Sequence, residues 1–164
     1  MSAPRFVIER LRKEHERSSF RCGSTPLDEF LARFARQNAD ADVAQTFVAA
    51  APPSVRVAGY YSLAASSIQF ARVPDAVRRR LPRYPIPSIL LARLATDVTV
   101  RGLGLGAALL IDAGKRAARL SGEVGVRVLE VVAKDDAARS FYVKHGATAL
   151  LDDPLHLVFD VRVF

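Results

Sequence analysis

Apolar residues recur along the chain in two periods, near 2 and near 3.6, and the changes between them mark out its elements. RFVIERL, Arg5 to Leu11, alternates with Phe6 and Ile8 on one face and reads as a first strand. Thr25, Pro26 and Asp28 then spell a helix start: Thr25 as N-cap, Pro26 at the first helical position, Asp28 closing an approximate capping box. Leu27, Phe30, Leu31 and Phe34 follow at helical spacing, which predicts one buried stripe and leaves Arg33 and Arg36 in solvent. Gln45 to Ala50 and Val55 to Phe70 flank the turn residues Pro52, Pro53 and Ser54 and predict an antiparallel hairpin.

An arginine-rich stretch bracketed by Pro74 and Pro82 has room for one short helix. The run from Pro85 to Val100 is apolar almost throughout, the pattern of a strand covered on both faces. Leu105 to Leu120 reads as a helix, Val126 to Val132 as a buried strand, and Asp135 to Lys144 as an amphipathic helix ended by Gly146. The last segment places Leu155, Leu157, Phe159, Val161 and Val163 on one face of a half-buried strand. The order is a β-rich first half, then strand, glycine-rich loop, helix, strand, helix, strand.

With 164 residues, 50% of them hydrophobic, and no linker or repeat, one domain over residues 1–164 is expected. No stretch approaches the ~18 uninterrupted apolar residues of a membrane span, which points to a soluble cytoplasmic protein with no membrane partner. Cys22 is the one cysteine, so no intrachain disulfide can form. His15, His145 and His156 are scattered without ligand spacing, and no metal is expected. The formal charge is +7, and 20 of the 24 cationic residues are arginines, whose planar forks match phosphate oxygens. The densest cluster, Arg72, Arg78, Arg79, Arg80 and Arg83, suits either a solvated helix face or a polyanion.

TVRGLGLGAALL, Thr99 to Leu110, runs through three glycines into a helix. It can be a plain turn, or it can hold an anion on main-chain N–H groups at the positive end of a helix. GLGLGA also fits the dinucleotide pattern. That reading is disfavoured, because the motif starts at residue 102 and Glu123 falls in the connection before the next strand instead of at its end.

Further residues supply context. Arg101 to Gly106 fits R-x-x-G-x-G; LLARLATDV precedes it, and Asp135, Ala138 and Tyr142 with SFY and KHG follow at matching distance. This combination resembles the GNAT acyltransferases, the acetyl-coenzyme A dependent N-acetyltransferases. FRCGSTPLDEFL, TFVA, GYYSLA and PIPSILLARLATD extend the resemblance over almost the whole chain, toward the GNAT toxins of toxin-antitoxin pairs, which acetylate the amino group of aminoacyl-tRNA. The resemblance implies an α+β (mixed α/β) GNAT fold, with a mostly antiparallel twisted sheet splayed at the acetyl-coenzyme A site and flanked by helices. It also implies a ribbon-helix-helix antitoxin and a homodimer. Asp135 stands where many relatives carry Asn, and Ala147 replaces a common aromatic.

On that basis Arg101, Gly102, Leu103, Gly104, Leu105 and Gly106 are expected to cradle the cofactor pyrophosphate, with Asp135 as a further contact. Leu94, Ala95 and Thr96 offer main chain to the pantetheine arm and the thioester carbonyl. Tyr142 is the candidate general acid toward the sulfur; a thiol of pKa near ~8.5 needs only modest help from a phenol near ~10. Considered on its helix alone, Tyr142 reads as a core aromatic. No carboxylate is placed as a base, which suits an α-amine of pKa at or below ~8 better than a lysine near ~10.4. Arg78, Arg79, Arg80 and Arg83 are expected on the tRNA backbone. Arg93 is expected either at the acceptor end or as partner of Asp97. A GNAT enzyme for a small or protein amine, and a basic RNA-binding module without turnover, are the alternatives.

Overall fold

The computed structural model describes residues 4–164. The chain forms two compact units: the part up to Ala64 together with Ala92–Ala113, and Ala65–Leu91 together with Gly114–Phe164. Its strands belong to one seven-stranded sheet in the order β1-β2-β3-β4-β5-β7-β6.

In the first unit, β1 (Val7–Arg10) pairs antiparallel with β2 (Gln45–Ala50), and β2 pairs antiparallel with the start of β3 (Gly59–Ile68). The predicted hairpin is present, with its second strand starting at Gly59 instead of Val55. Phe20, Phe30, Leu31, Ala35, Val48, Val57 and Tyr60 fill the core. Tyr60 sits at its centre, edge-on to Phe20 and stacked on Phe30, and its hydroxyl donates to the Leu27 carbonyl at 2.7 Å. Burial raises the pKa of that phenol well above its ordinary value.

The helix after Gly23 departs from expectation twice. Its N-cap is Ser24, one residue before Thr25, and the Asp28 carboxylate reaches back to the Cys22 amide at 2.9 Å. After α1 (Thr25–Glu29) the chain makes a π-helical turn, Phe30–Phe34, and resumes as α2 (Ala35–Asp40). The Ala35 N–H bonds to the Phe30 carbonyl, a five-residue step that admits one extra residue. Ala35 therefore takes the buried position, and Phe34, predicted inside, is 47% exposed.

β4 (Ile86–Thr96) divides between the units at Leu91, and its part in the second unit pairs parallel with β5 (Val128–Val132) over Ser88–Leu91. Antiparallel β7 (Asp153–Asp160) and β6 (Thr148–Leu150) follow. The ladder with β5 ends at Leu91, and β4 is only partly covered: Ala92 is exposed and Leu94 half-buried, which corrects the expectation of two covered faces. The short β6 has no counterpart in the sequence reading. The C-terminal strand also stops earlier than predicted. The Asp160 carboxylate caps a 3₁₀ turn, Val161–Val163, and Val163 points to solvent. The arginine-rich helix is a single turn, α3 (Asp75–Arg78).

α4 (Leu105–Leu120) matches the predicted span, and α5 (Asp136–Lys144) matches with Asp135 as its N-cap. Leu105, Leu109, Leu110, Ala113 and Ala117 form the buried stripe of α4. Near its middle, Gly114 lies directly under the ring of Phe164.

A methyl group at Gly114 would gain helix propensity of ~1 kcal/mol but collide with the Phe164 ring. Gly114→Ala is expected to lower stability by about 1–2 kcal/mol, seen as a reduced Tm. In a Phe164→Ala background the same change becomes neutral or stabilising, a double-mutant cycle that isolates the contact.

Candidate active site

The site is built around one buried carboxylate at the end of β4. Asp97 is 1% exposed. One of its oxygens accepts from the Thr99 amide at 2.9 Å and the Thr99 hydroxyl at 2.7 Å; the other accepts from the Arg21 amide at 2.9 Å, with an Arg56 nitrogen at 3.5 Å. Burial alone raises its pKa, but the Thr99 and Arg21 donors, with Arg56 beside them, more than offset that and hold the carboxyl below its ordinary value. Main-chain bonds continue the clasp, Asp97 N–H to Ala58 and Val98 N–H to Arg21, both at 2.8 Å.

The glycine loop leaves from this clasp. The Arg101 guanidinium turns back to the Cys22 carbonyl at 3.0 Å, so the side chain anchors the loop while its main chain runs forward. Gly102 and Gly104 have φ of 81° and 78°, the left-handed region that L-residues avoid, on either side of Leu103. Alternation of this kind turns successive N–H groups toward one side and forms an anion-binding concavity. A Cβ at Gly102 or Gly104 would meet nothing within 4 Å, so that side is open to a ligand. The Leu103 amide closes a turn onto Val100 at 3.3 Å, and the Gly104 carbonyl accepts from Ala108 as the first turn of α4. The N–H groups of the first helical residues, Leu105 and Gly106 among them, have no partner within the helix and stand at its positive end. Gly59 is also required: a Cβ there would lie 2.9 Å from Leu109, 3.0 Å from Leu105 and 3.2 Å from the Ala95 carbonyl. The bare backbone of β3 thus lets α4 and the end of β4 come close. Diphosphate fits this cradle, since it asks for converging amides, a positive helix end and no side chain in the way.

Leu94, Ala95 and Thr96 lie on the same unit, beyond the end of the β5 ladder, with Ala95 buried and its neighbours half-buried. Arg93 stacks on the ring of Phe30, 3.6 Å from its centroid. Of its two expected roles, partnership with Asp97 is not the one observed, because Arg56 holds that place.

The second unit carries the remaining residues. Tyr142 is 7% exposed on α5, edge-on to Phe141 and Phe159. Burial pushes its phenol up to about 12. Asp135 accepts the Ala138 amide at 2.8 Å as the helix cap. Arg78 is half-buried, paired with Asp75 at 2.8 Å and stacked over Phe70; Arg79, Arg80 and Arg83 are exposed. Together they line an open pocket of about 600 Å³ with Phe70 and Leu81. The sequence reading missed Asp97 as an organiser, and it missed a buried chain in which Glu130 joins Ser88 to His156, which in turn meets Arg72. Asp97 ends a strand and sits two residues before Thr99, the spacing of an Asx cap, which was a readable signal. Among the described residues no group of three or more His, Cys, Asp or Glu side chains could hold a metal ion, and no helix is long and apolar enough to cross a membrane.

No family model matches the chain. A tRNA-acetylating toxin of Mycobacterium tuberculosis is 39% identical over 157 residues, spanning 96% of this chain and 90% of that protein. The structure of AtaT complexed with acetyl-methionyl-tRNAfMet superposes with a TM-score of 0.91 at 27% identity, over 97% of this chain and 96% of that one. A tyrosine-to-phenylalanine mutant of AtaT bound to the C-terminus of the antitoxin AtaR and acetyl-CoA superposes with a TM-score of 0.82 at 26% identity, over 96% of this chain and 94% of that one.

Asp97→Asn sets an amide against donors that need acceptors, and is expected to cost about 2–4 kcal/mol. Because the folded pKa is depressed, the carboxylate's contribution is complete above the unfolded value near ~4 and is lost as pH falls through the lower folded value. Urea midpoints measured from neutral into acid pH should therefore fall less steeply in the variant than in the parent.

Proposed function

Since the chain belongs to the GNAT acetyltransferase toxins that modify tRNA, we propose that its glycine loop holds acetyl-CoA and that the acetyl group passes to the α-amine of charged tRNA, blocking translation. The observation that carries this reading is the alternating-φ loop, Arg101 to Gly106, running into the positive end of a sixteen-residue helix.

When bound, acetyl-CoA supplies an activated acetyl thioester. The residues do the rest. The main-chain amides of Gly102, Gly104, Leu105 and Gly106 would hold the diphosphate, with Arg101 fixing the loop and Leu103, its N–H turned onto Val100, shaping it. Leu94, Ala95 and Thr96 align the pantetheine arm and donate to the carbonyl that gains negative charge. Asp135 completes the set from the start of α5. Tyr142, kept protonated by its burial, would give its proton to the departing sulfur as the C–N bond forms and the C–S bond breaks, and the proton that the nitrogen sheds would return through solvent to restore the phenol. An α-amine near ~8 is substantially neutral at physiological pH, so no dedicated base is required. Arg78, Arg79, Arg80 and Arg83 grip the RNA backbone, and Arg93 faces the acceptor end. A ribbon-helix-helix antitoxin, a homodimer and a cytoplasmic setting complete the proposal, with residues 1–164 acting as one domain.

The protein incubated with labelled acetyl-CoA and total charged tRNA should place label in the aminoacyl-tRNA fraction. Label confined to free amines or peptides, or none at all, overturns the reading. Tyr142→Phe should cut turnover by about 10²-fold while acetyl-CoA affinity stays near that of the parent. With the phenol at about 12, turnover should show no descending limb from this residue below pH 10.

Replacing Arg79, Arg80 and Arg83 together by Ala should lower the slope of log affinity against log salt by about 2–3, the share of three phosphate contacts. An unchanged slope assigns them to plain solvation.

A further inference from the structure

Two of the buried tyrosines are held by their hydroxyls. Tyr60 donates to the Leu27 carbonyl and Tyr61 to the Asp112 carboxylate. The Tyr142 hydroxyl donates to none of the described residues, so the direction of its phenol is set by the packing of its ring. Two rings meet it edge-on. Phe141, with its centroid 5.2 Å away, is its neighbour on α5 and moves with it. Phe159, 6.4 Å away at 79°, belongs to β7, and this is the ring contact that ties Tyr142 to the sheet.

Phe159 is itself wholly buried, opposite Leu129 on β5, and its ring is backed by that of Phe164 at 5.6 Å. The local sequence arranges that backing. Asp160 ends β7 and caps the 3₁₀ turn, and the Phe164 N–H closes onto the Val161 carbonyl at 3.4 Å. The chain thereby doubles back, so that residue 164 meets residue 159. Gly114 makes the seat: a Cβ there would run into the Phe164 ring, and only a bare helix backbone lets the ring lie against α4. Gly114, Phe164, Phe159 and Tyr142 thus form one run of contacts inside the second unit, from the α4 backbone to the phenol.

A general acid has to point at the atom it protonates, and a misplacement of ~1 Å can cost about 10²-fold in rate. We propose that Phe164 is a positioning residue for acetyl transfer: seated on Gly114, it holds Phe159 against Tyr142 and so fixes where the phenol points. The proposal rests on the reading of Tyr142 as the general acid and adds a residue that acts only through the ring beside it. Phe159 cannot be changed without opening the core, whereas Phe164 is half-buried and can.

Positioning and plain stabilisation differ in a double-mutant cycle on turnover, with each variant assayed well below its Tm. Phe164→Ala should lower kcat for acetylation of charged tRNA about tenfold and leave KM for acetyl-CoA near that of the parent, because the glycine loop lies on the other unit. In a Tyr142→Phe background, where no proton remains to be aimed, the same change should cost nothing further. Gly114→Ala, which displaces the ring without removing it, should lower kcat in the parent and not in that background. Phe164→Tyr, which keeps the ring, should stay near the parent. Equal losses in both backgrounds, or an unchanged kcat in Phe164→Ala, overturn the proposal. A second readout needs no turnover. The chain has four tyrosines, so isotope-labelled tyrosine gives few ring signals by NMR, and Tyr142→Phe identifies the one from residue 142. That signal should move toward the position of free tyrosine in Phe164→Ala and stay in place in Phe164→Tyr; a signal that does not move in Phe164→Ala overturns the proposal. If charged tRNA is not acetylated, or Tyr142→Phe leaves turnover unchanged, the function proposed above or its choice of acid fails, and the NMR signal alone decides whether Phe164 holds the ring.

Discussion

A carboxylate taken out of water has to be surrounded by donors, and in this protein that requirement fixes where the glycine loop begins. Asp97 gathers the amide and hydroxyl of Thr99, the amide of Arg21 and the charge of Arg56. Arg21 is 76 residues away along the chain, so the carboxylate joins the entry to the first helix to the exit of β4. An isolated buried charge costs several kcal/mol, and no alternative path of the loop that loses these donors can compete with the observed one. The rest follows outward: Val98 pairs with Arg21, Arg101 reaches the Cys22 carbonyl, and the glycines emerge in a set direction.

Electrostatics also divides the chemistry between the two units. The first holds converging amides and a positive helix end, suited to an anion. The second holds a phenol whose proton is retained far above physiological pH. A buried tyrosine of this kind is a poor base and a dependable donor, because desolvation penalises its anion and leaves the neutral form untouched. The absence of a base among the expected residues is then consistent with an acceptor that needs little deprotonation.

Much of this was legible in the sequence. The bounds of α4 were readable because glycines stop the strand and a sixteen-residue apolar period follows. The loop was readable because positive φ selects glycine at Gly102 and Gly104. Phe34 was misplaced because a π-turn is a property of main-chain hydrogen bonding, and side-chain spacing carries no trace of it. Val163 was misplaced because alternation continues past the point where Asp160 caps a 3₁₀ turn; the capping aspartate was the available clue. β4 read as fully covered because composition reports what residues tolerate, whereas coverage depends on where the ladder with β5 ends. The role of Asp97 depends on Arg21 and Arg56, contacts that no local pattern encodes.

The arginine excess needs the same distinction between composition and use. A formal charge of +7 suggests a broad anionic footprint. Yet Arg17, Arg21, Arg101 and Arg139 donate to main-chain carbonyls, Arg72 is held by Asp152 and His156, and Arg78 by Asp75 and Phe70. Guanidinium groups used this way close loops where a lysine, with no fork, could not span the same acceptors. Exposed arginines outside these pairings include Arg79, Arg80, Arg83 and Arg119 on one unit and Arg5, Arg10 and Arg36 on the other. Net charge therefore overstates how much unpaired cationic surface the chain presents. The exposed arginines, and not the sum of charges, mark where a polyanion can be met.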